Sequence, residues 1–256
     1  LVVGMAGASA LPAHATDVNF ITDFGFNGRH AYFYVAREKG YYKDAGLNVT
    51  FLRGQGSADA IKKVAAGLAT IGFADAGSLV LARGNDGVPV KLVSIVYARP
   101  PQAIFGVKGS GIASPKDLEG KTIADTASSS VRLLFPAFAK KNGITKWEHV
   151  NLTPQLREQS LVQGTVDFIS GHYFSSMLDL KARGVAFEDI VAMRFVDFGM
   201  DVYGNGIVIS ADMAKNEKAV KGFIAATIKG WKDVIADPKL GIAAAKKRDP
   251  LIDEKL

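Results

Sequence analysis

The sequence contains no cysteine. That absence excludes disulfides, thiol catalysis, thiolate metal sites and attachment through a lipid-modified cysteine. Long hydrophobic runs are also scarce. Outside the first 15 residues no apolar stretch approaches the ~18 needed to span a membrane. Neither charge sign dominates: 31 basic residues against 25 acidic ones give a formal charge of +6, and the densest basic cluster is Lys246-Lys247-Arg248. A nucleic-acid footprint needs basic residues clustered with aromatic platforms, so no nucleic-acid partner is expected. A mildly basic surface favours instead an anionic ligand or docking partner. No Gly-rich phosphate loop and no Ser/His/Asp arrangement stands out, so catalysis has no visible apparatus.

What is present is enough for a sizeable core. The chain has 256 residues, 48% of them hydrophobic, sufficient for one domain or two. Residues 1–15, LVVGMAGASALPAHA, are apolar and end in Ala13-His14-Ala15, an A-x-A cleavage pattern, before the polar Thr16-Asp17. No basic residue precedes the run. We read 1–15 as the remnant of a secretory signal cleaved after Ala15; a buried terminal strand or helix is the alternative. An exported, unanchored chain without cysteine fits the periplasm.

Strand-like runs alternate with helical ones, which predicts an α/β fold with mostly parallel sheets. Strands are expected at 18–22, 48–52, 70–74, 90–97, 102–107, 122–124, 166–170, 190–195 and 206–209. Helices are expected at 28–39, 58–66, 78–84, 129–142, 154–163, 174–183 and 214–236, with a further helical stretch before DPLIDEKL. In the first of these helices Ala31, Tyr34 and Val35 share a face, with Arg29, Arg37 and Lys39 mostly off it. Two halves echo each other: a helix, Gly67 and LATIGFADAGS, then a helix, Gly164 and TVDFISGHYFSS. Arg99-Pro100-Pro101-Gln102 breaks the pattern between two strands, and its prolines stiffen a crossover. Ser114-Pro115-x-Asp117 reads as a short capped helix that is scaffold.

From Tyr34 to Val49 the order Y-x-A-x-E-K-G-Y-Y-x-x-x-G-L-x-V resembles the NMT1/THI5-like solute-binding proteins of ABC importers, a likeness running from about Val18 to the end. The resemblance implies a two-lobed periplasmic binding protein of type II, each lobe a mostly parallel sheet flanked by helices, with a ligand cleft between them. Residues 16–100 would open lobe 1, 101–201 would form lobe 2, and 202–256 would return to lobe 1 and continue beyond Leu256. It further implies a monomer without cofactor or metal that takes a small-molecule ligand to inner-membrane permease subunits.

In such sheets ligands sit outside the carboxyl ends of strands, near helix N-termini. The loops at 23–30, 54–57, 75–78, 127–132 and 171–174 are therefore expected to line the cleft. The family's N-W-x-x-x-x-x-H run is matched with Asp23 and Phe24 at the Asn-Trp positions and His30 at the histidine. Phe24 would stack on a flat ligand, with Asn27 beside it; Phe24 and Phe26 as core aromatics, and His30 as a structural hydrogen-bonder, are the alternatives. Gln55, Ser57, Asp75 and Ser78 lie at strand-to-helix turns, where the serines can equally be helix caps. Asp75 would accept N–H groups of an amine or aminopyrimidine. Ser128, Ser129, Ser130 and Arg132 would cradle an anion, or cap a helix with Arg132 in solvent. His172 and Tyr173 would supply a second aromatic wall. Asp201, Tyr203 and Asn205 would reach the ligand from the return crossover, unless Tyr203 merely packs there.

Two other classes remain. The family includes a yeast-type enzyme that makes the thiamine pyrimidine, but its cofactor lysine and sacrificed histidine fall at Ala74 and Ser78, and its cysteine-rich iron motif has no counterpart. A sensory module on the same fold is the other. For the receptor reading, a thiamine-pyrimidine-like heterocycle is favoured slightly over a sulfonate- or nitrate-type anion.

Overall fold

The computed structural model describes residues 15–252; the expected export segment at 1–14 lies outside them. Ten strands form two five-stranded sheets. The first contains β1 (Thr16–Ile21), β2 (Leu47–Leu52), β3 (Ile71–Asp75), β4 (Lys91–Ile95) and β10 (Asn205–Ile209), in the order β2-β1-β3-β10-β4. The second contains β5 (Gln102–Val107), β6 (Lys121–Asp125), β7 (Trp147–Asn151), β8 (Phe168–His172) and β9 (Ile190–Arg194), in the order β7-β6-β8-β5-β9. Helices flank both: α1 (Ala31–Glu38), α2 (Tyr41–Asp44), α3 (Ser57–Ala65), α4 (Ala76–Asp86), α5 (Ser130–Asn142), α6 (Pro154–Val162), α7 (Tyr173–Ala182), α8 (Glu217–Ala236) and α9 (Pro238–Arg248). Among the described residues no helix is long and apolar enough to cross a membrane.

The sheets are mixed, where mostly parallel ones were expected. β1 pairs in parallel with β2 and β3, and β6 with β7 and β8. β10 is antiparallel to β3 and β4, and β5 to β8 and β9. Parallel neighbours need a helical crossover on the same sheet. β5 and β10 instead enter their sheets directly from the other one, and so run the opposite way. β7, WEHVN, was not anticipated. It is a half-exposed edge strand whose polar residues alternate without an apolar face. The 190–195 strand stops at Arg194, and Phe195 opens a 3-10 turn.

Each sheet has its own aromatic core. In the first, Phe20 lies 4.5 Å from Phe33, 5.5 Å from Phe51 and 5.2 Å from Phe223, ring centre to ring centre. In the second, Phe138 stacks on Phe195 at 4.2 Å and on the flank of Phe135 at 5.8 Å. The Y-x-A-x-E-K-G segment supplies much of the first core. Tyr34 and Tyr42 are buried, and Tyr42 bonds Thr227 of α8 at 2.9 Å. Gly40 turns the chain between α1 and α2 with φ of 76°, a left-handed conformation that glycine adopts at little cost.

α1 and α8 cross so closely that Gly230 is required at the contact. A Cβ there would lie 2.3 Å from the Tyr32 carbonyl oxygen and 2.9 Å from the Ala36 Cβ. In an open helix Gly→Ala gains ~1 kcal/mol. Gly230→Ala is instead expected to destabilise the protein by roughly 1–3 kcal/mol through overpacking, read from the midpoint of urea unfolding.

Candidate functional site

The two sheets meet across a buried polar cluster. Asp23, just past β1, is 2% exposed, and three side chains hold its carboxylate. Arg29 donates to Oδ1 at 2.9 Å, His30 Nε2 lies 2.7 Å from the same oxygen, and Asn205 donates to Oδ2 at 2.7 Å. Burial alone would raise the Asp23 pKa, but the Arg29 charge and the His30 hydrogen bond outweigh it and hold the carboxyl well below its usual range. His30 is fully buried and its own pKa is lowered, chiefly by burial. Asn27 organises the same loop: its side chain accepts from the Arg29 backbone at 3.2 Å and donates to the Phe24 carbonyl at 3.0 Å.

Arg29 also spans the cleft. Its other terminal nitrogen is 2.6 Å from His172 Nδ1, at the end of β8 in the second sheet. A guanidinium can only donate, so Nδ1 accepts and Nε2 carries the proton. That Nε2 faces the Ser130 hydroxyl at 3.4 Å. Enclosure by the chain, and then the Arg29 charge, push the His172 pKa down to about 3.

A second bridge runs from Asp75, the N-cap of α4, which is fully buried. One oxygen accepts from the Ser78 backbone at 2.7 Å and the Ser78 hydroxyl at 2.8 Å; the other accepts from Gln102 of β5 at 2.7 Å. Ser57 accepts from the Asp75 backbone at 3.1 Å, and Gln102 also donates to Ser130 at 3.2 Å. The Asp75 carboxylate that was expected to face a ligand amine is thus engaged by the chain itself, and burial raises its pKa. Gly56 closes the seam. At φ of 144°, a Cβ on it would sit 2.1 Å from the Ser128 carbonyl oxygen, which also accepts from the Ala58 N–H at 3.2 Å.

The remaining expected residues divide. Phe24 is half-buried, bridges Gln55 through the backbone, and lies 5.6 Å from the Arg157 guanidinium. The Gln55 side chain is exposed at the rim. Ser129 caps α5. Arg132 is half-buried, and one of its terminal nitrogens is buried without a partner near His149 rather than in the polar cluster. Tyr173 and Arg194 line a cavity of about 250 Å³ beside the crossover prolines, with the Arg194 guanidinium 5.3 Å from the Tyr173 ring. Tyr203 is 60% exposed and outside the cluster.

Sequence reasoning missed Arg29, Gln102 and the buried group Asp125, Arg157 and Glu158. Arg29 lies off the apolar face of its helix, which reads as solvent-facing, yet its side chain is 9% exposed. On α6, beside the second sheet, Arg157 and Glu158 are buried together and share Ser176 of α7, which accepts from Arg157 at 3.2 Å and donates to Glu158 at 3.2 Å. Asp125 ends β6 fully buried, its pKa raised by burial, with one oxygen on the Thr126 backbone at 2.7 Å. Two acceptors of this region, Gln102 Oε1 and Asn205 Oδ1, are buried without a hydrogen-bond partner among the described residues, while the Ser170 and Ser129 hydroxyls help hold the Asp125 carboxyl.

A neutral histidine that protonates more readily when unfolded costs stability as pH falls below the unfolded value. For His172 that window runs from pH ~6.5 down to about 3, at up to ~1.4 kcal/mol per pH unit. His30 has the same sign. Asp179, held up to about 6 mainly by burial, has the opposite sign between pH ~4 and 6. Comparison with His172→Gln, which keeps an acceptor for Arg29, isolates the histidine. The variant is expected to lose at least ~1 kcal/mol less than the parent between pH 6 and 4 in urea unfolding.

Comparison with known proteins places this geometry. A sequence model described as NMT1/THI5 like matches residues 27–240. The riboflavin-binding protein RibY of Chloroflexus aurantiacus is 28% identical over 222 residues, which cover 83% of this chain and 60% of that protein. The formylaminopyrimidine-binding protein of Halalkalibacterium halodurans is 26% identical, covering 86% of this chain and 67% of its own length. The chain therefore spans about two thirds or less of these relatives. Among solved structures, the alkanesulfonate-binding protein SsuA of Xanthomonas axonopodis pv. citri bound to MOPS superposes with a TM-score of 0.72. Its identity is 15%, over 95% of this chain and 82% of that one, a likeness of fold.

Proposed function

The chain belongs to the NMT1/THI5-like family, and from that premise we propose that it is the solute receptor of an ABC importer, exported to the periplasm and acting without chemistry. Two lobes close on a small ligand, and the closed form docks on the permease. The observation that carries the reading is the polar seam itself. Arg29–His172 and Asp75–Gln102 join the two sheets at the carboxyl ends of β1, β3 and β8, where a two-lobed α/β receptor holds its ligand. The positions corresponding to the yeast-type enzyme's cofactor lysine and sacrificed histidine are Ala74 and Ser78, which speaks against the enzyme reading.

For the ligand we favour a flat nitrogen heterocycle carrying N–H donors. The buried acceptors Gln102 Oε1 and Asn205 Oδ1 call for donors, the Asp125 carboxyl is buried in the same region, and Phe24 offers a ring face nearby. Both sequence relatives are named for heterocycles of this kind. The anion cradle has less support, because Ser129 and Ser130 are committed within the chain and Arg132 is turned toward His149.

Thermal unfolding against aminopyrimidines, flavins, sulfonates and nitrate tests both levels. A shift with a heterocycle is expected, weakened about tenfold in affinity by Phe24→Ala or Asp125→Asn, equivalent to ~1.4 kcal/mol. A shift with sulfonate or nitrate alone would reverse the ligand assignment. No shift with any compound would remove the receptor reading.

A further inference from the structure

On the first lobe, apart from the polar seam, three arginines gather over two aromatic rings. The Arg53 guanidinium lies 4.4 Å from the Phe26 ring centre and that of Arg248 lies 4.6 Å from it. Arg248 is also 5.2 Å from the Phe51 ring, which Arg37 approaches to 5.6 Å. These residues come from four separate segments: the loop after β1, the end of α1, the end of β2 and the end of α9. Nothing local in the sequence forces them together.

Among the described residues the acceptors do not match that charge. Arg53 is paired with Asp249 at 2.8 Å. Arg248 donates to the Phe51 carbonyl at 3.0 Å, but its Nε is buried without a partner. Arg37 is exposed and has no carboxylate or carbonyl partner among the described residues. The one nearby acid on α1, Glu38, is bound to Lys247. Burial first, and then the charges of Arg37 and Arg53, lower the Arg248 pKa, as expected where like charges are crowded.

We propose that the first lobe carries a second binding site, formed by Arg37, Arg53 and Arg248 over Phe26 and Phe51, that takes a tetrahedral oxyanion of the phosphate type. Guanidinium forks arriving from several directions can each present N–H donors to a different oxygen of such a group. The rings pack against the guanidinium groups and exclude water from one side. An oxyanion there offsets the crowding of the guanidinium charges. The inference is independent of what occupies the seam, since none of the three arginines touches Asp23, Asp75 or Asp125 through a hydrogen bond.

The test is thermal unfolding in sodium phosphate, in glycerol 3-phosphate and in sodium chloride at matched ionic strength, for the parent and Arg37→Gln. Arg37 is exposed and anchors no other residue by hydrogen bond, so the variant keeps the fold. Both phosphates at ~10 mM are expected to raise the parent midpoint about 3 °C beyond chloride, for a site of ~1 mM affinity. A larger shift with inorganic phosphate assigns the free ion, and a larger one with the ester assigns a phosphorylated small molecule. Arg37→Gln should abolish that excess. Equal midpoints in phosphate and chloride, or an excess that survives Arg37→Gln, would overturn the site.

Discussion

A carboxylate removed from water must be paired, and the pairing of Asp23 organises the centre of this molecule. Its partners come from different parts of the chain: Arg29 and His30 from the following turn, and Asn205 from the strand that returns from the second sheet. Arg29 then carries the connection to His172 across the cleft. Removing any one partner would leave charge or donors stranded in a dry place, which costs several kcal/mol in comparable buried pairs. One of the two links between the sheets thus follows from satisfying this ionised group.

The second bridge pairs a carboxylate with uncharged donors. Asp75, Ser78, Ser57, Gln102 and Ser130 form a chain of hydrogen bonds in which the capping of α4 and the contact between sheets use the same carboxylate. A group that caps a helix is rigidly positioned, so this bridge locates the second sheet as well as attracting it. Small residues finish the fit. Gly56 admits the Ser128 carbonyl, and Gly77 meets the Leu134 side chain.

Periodicity made most of the architecture legible. Nine of the strands came from alternating or continuous apolar runs, and the tenth, β7, did not because an edge strand in water has no apolar face to display. Mixed pairing was invisible because local sequence carries strand identity but not strand direction. Within the site, loops were readable from the strand-to-helix rule, and Asp23, Ser130 and His172 do meet there. Partner choice was not readable. Whether Asp75 faces a ligand or Gln102, and whether Arg29 faces water or His172, depends on residues distant in sequence that only folding brings near. Arg157 and Glu158 were hidden for the same reason: adjacent charges at a helix start read as solvated, and their burial rests on their own ion pair, on Ser176 and on Phe24.

β10 occupies the place between β3 and β4, and β4 has no other partner in the sheet. The second sheet, by contrast, is assembled from one uninterrupted stretch, β5 to β9. During synthesis, then, the early part of the chain waits for a strand made more than a hundred residues later, while the intervening part has all it needs. Closing so long a loop favours late completion of the first lobe. A nascent chain arranged this way keeps its first sheet incomplete until β10 has been made.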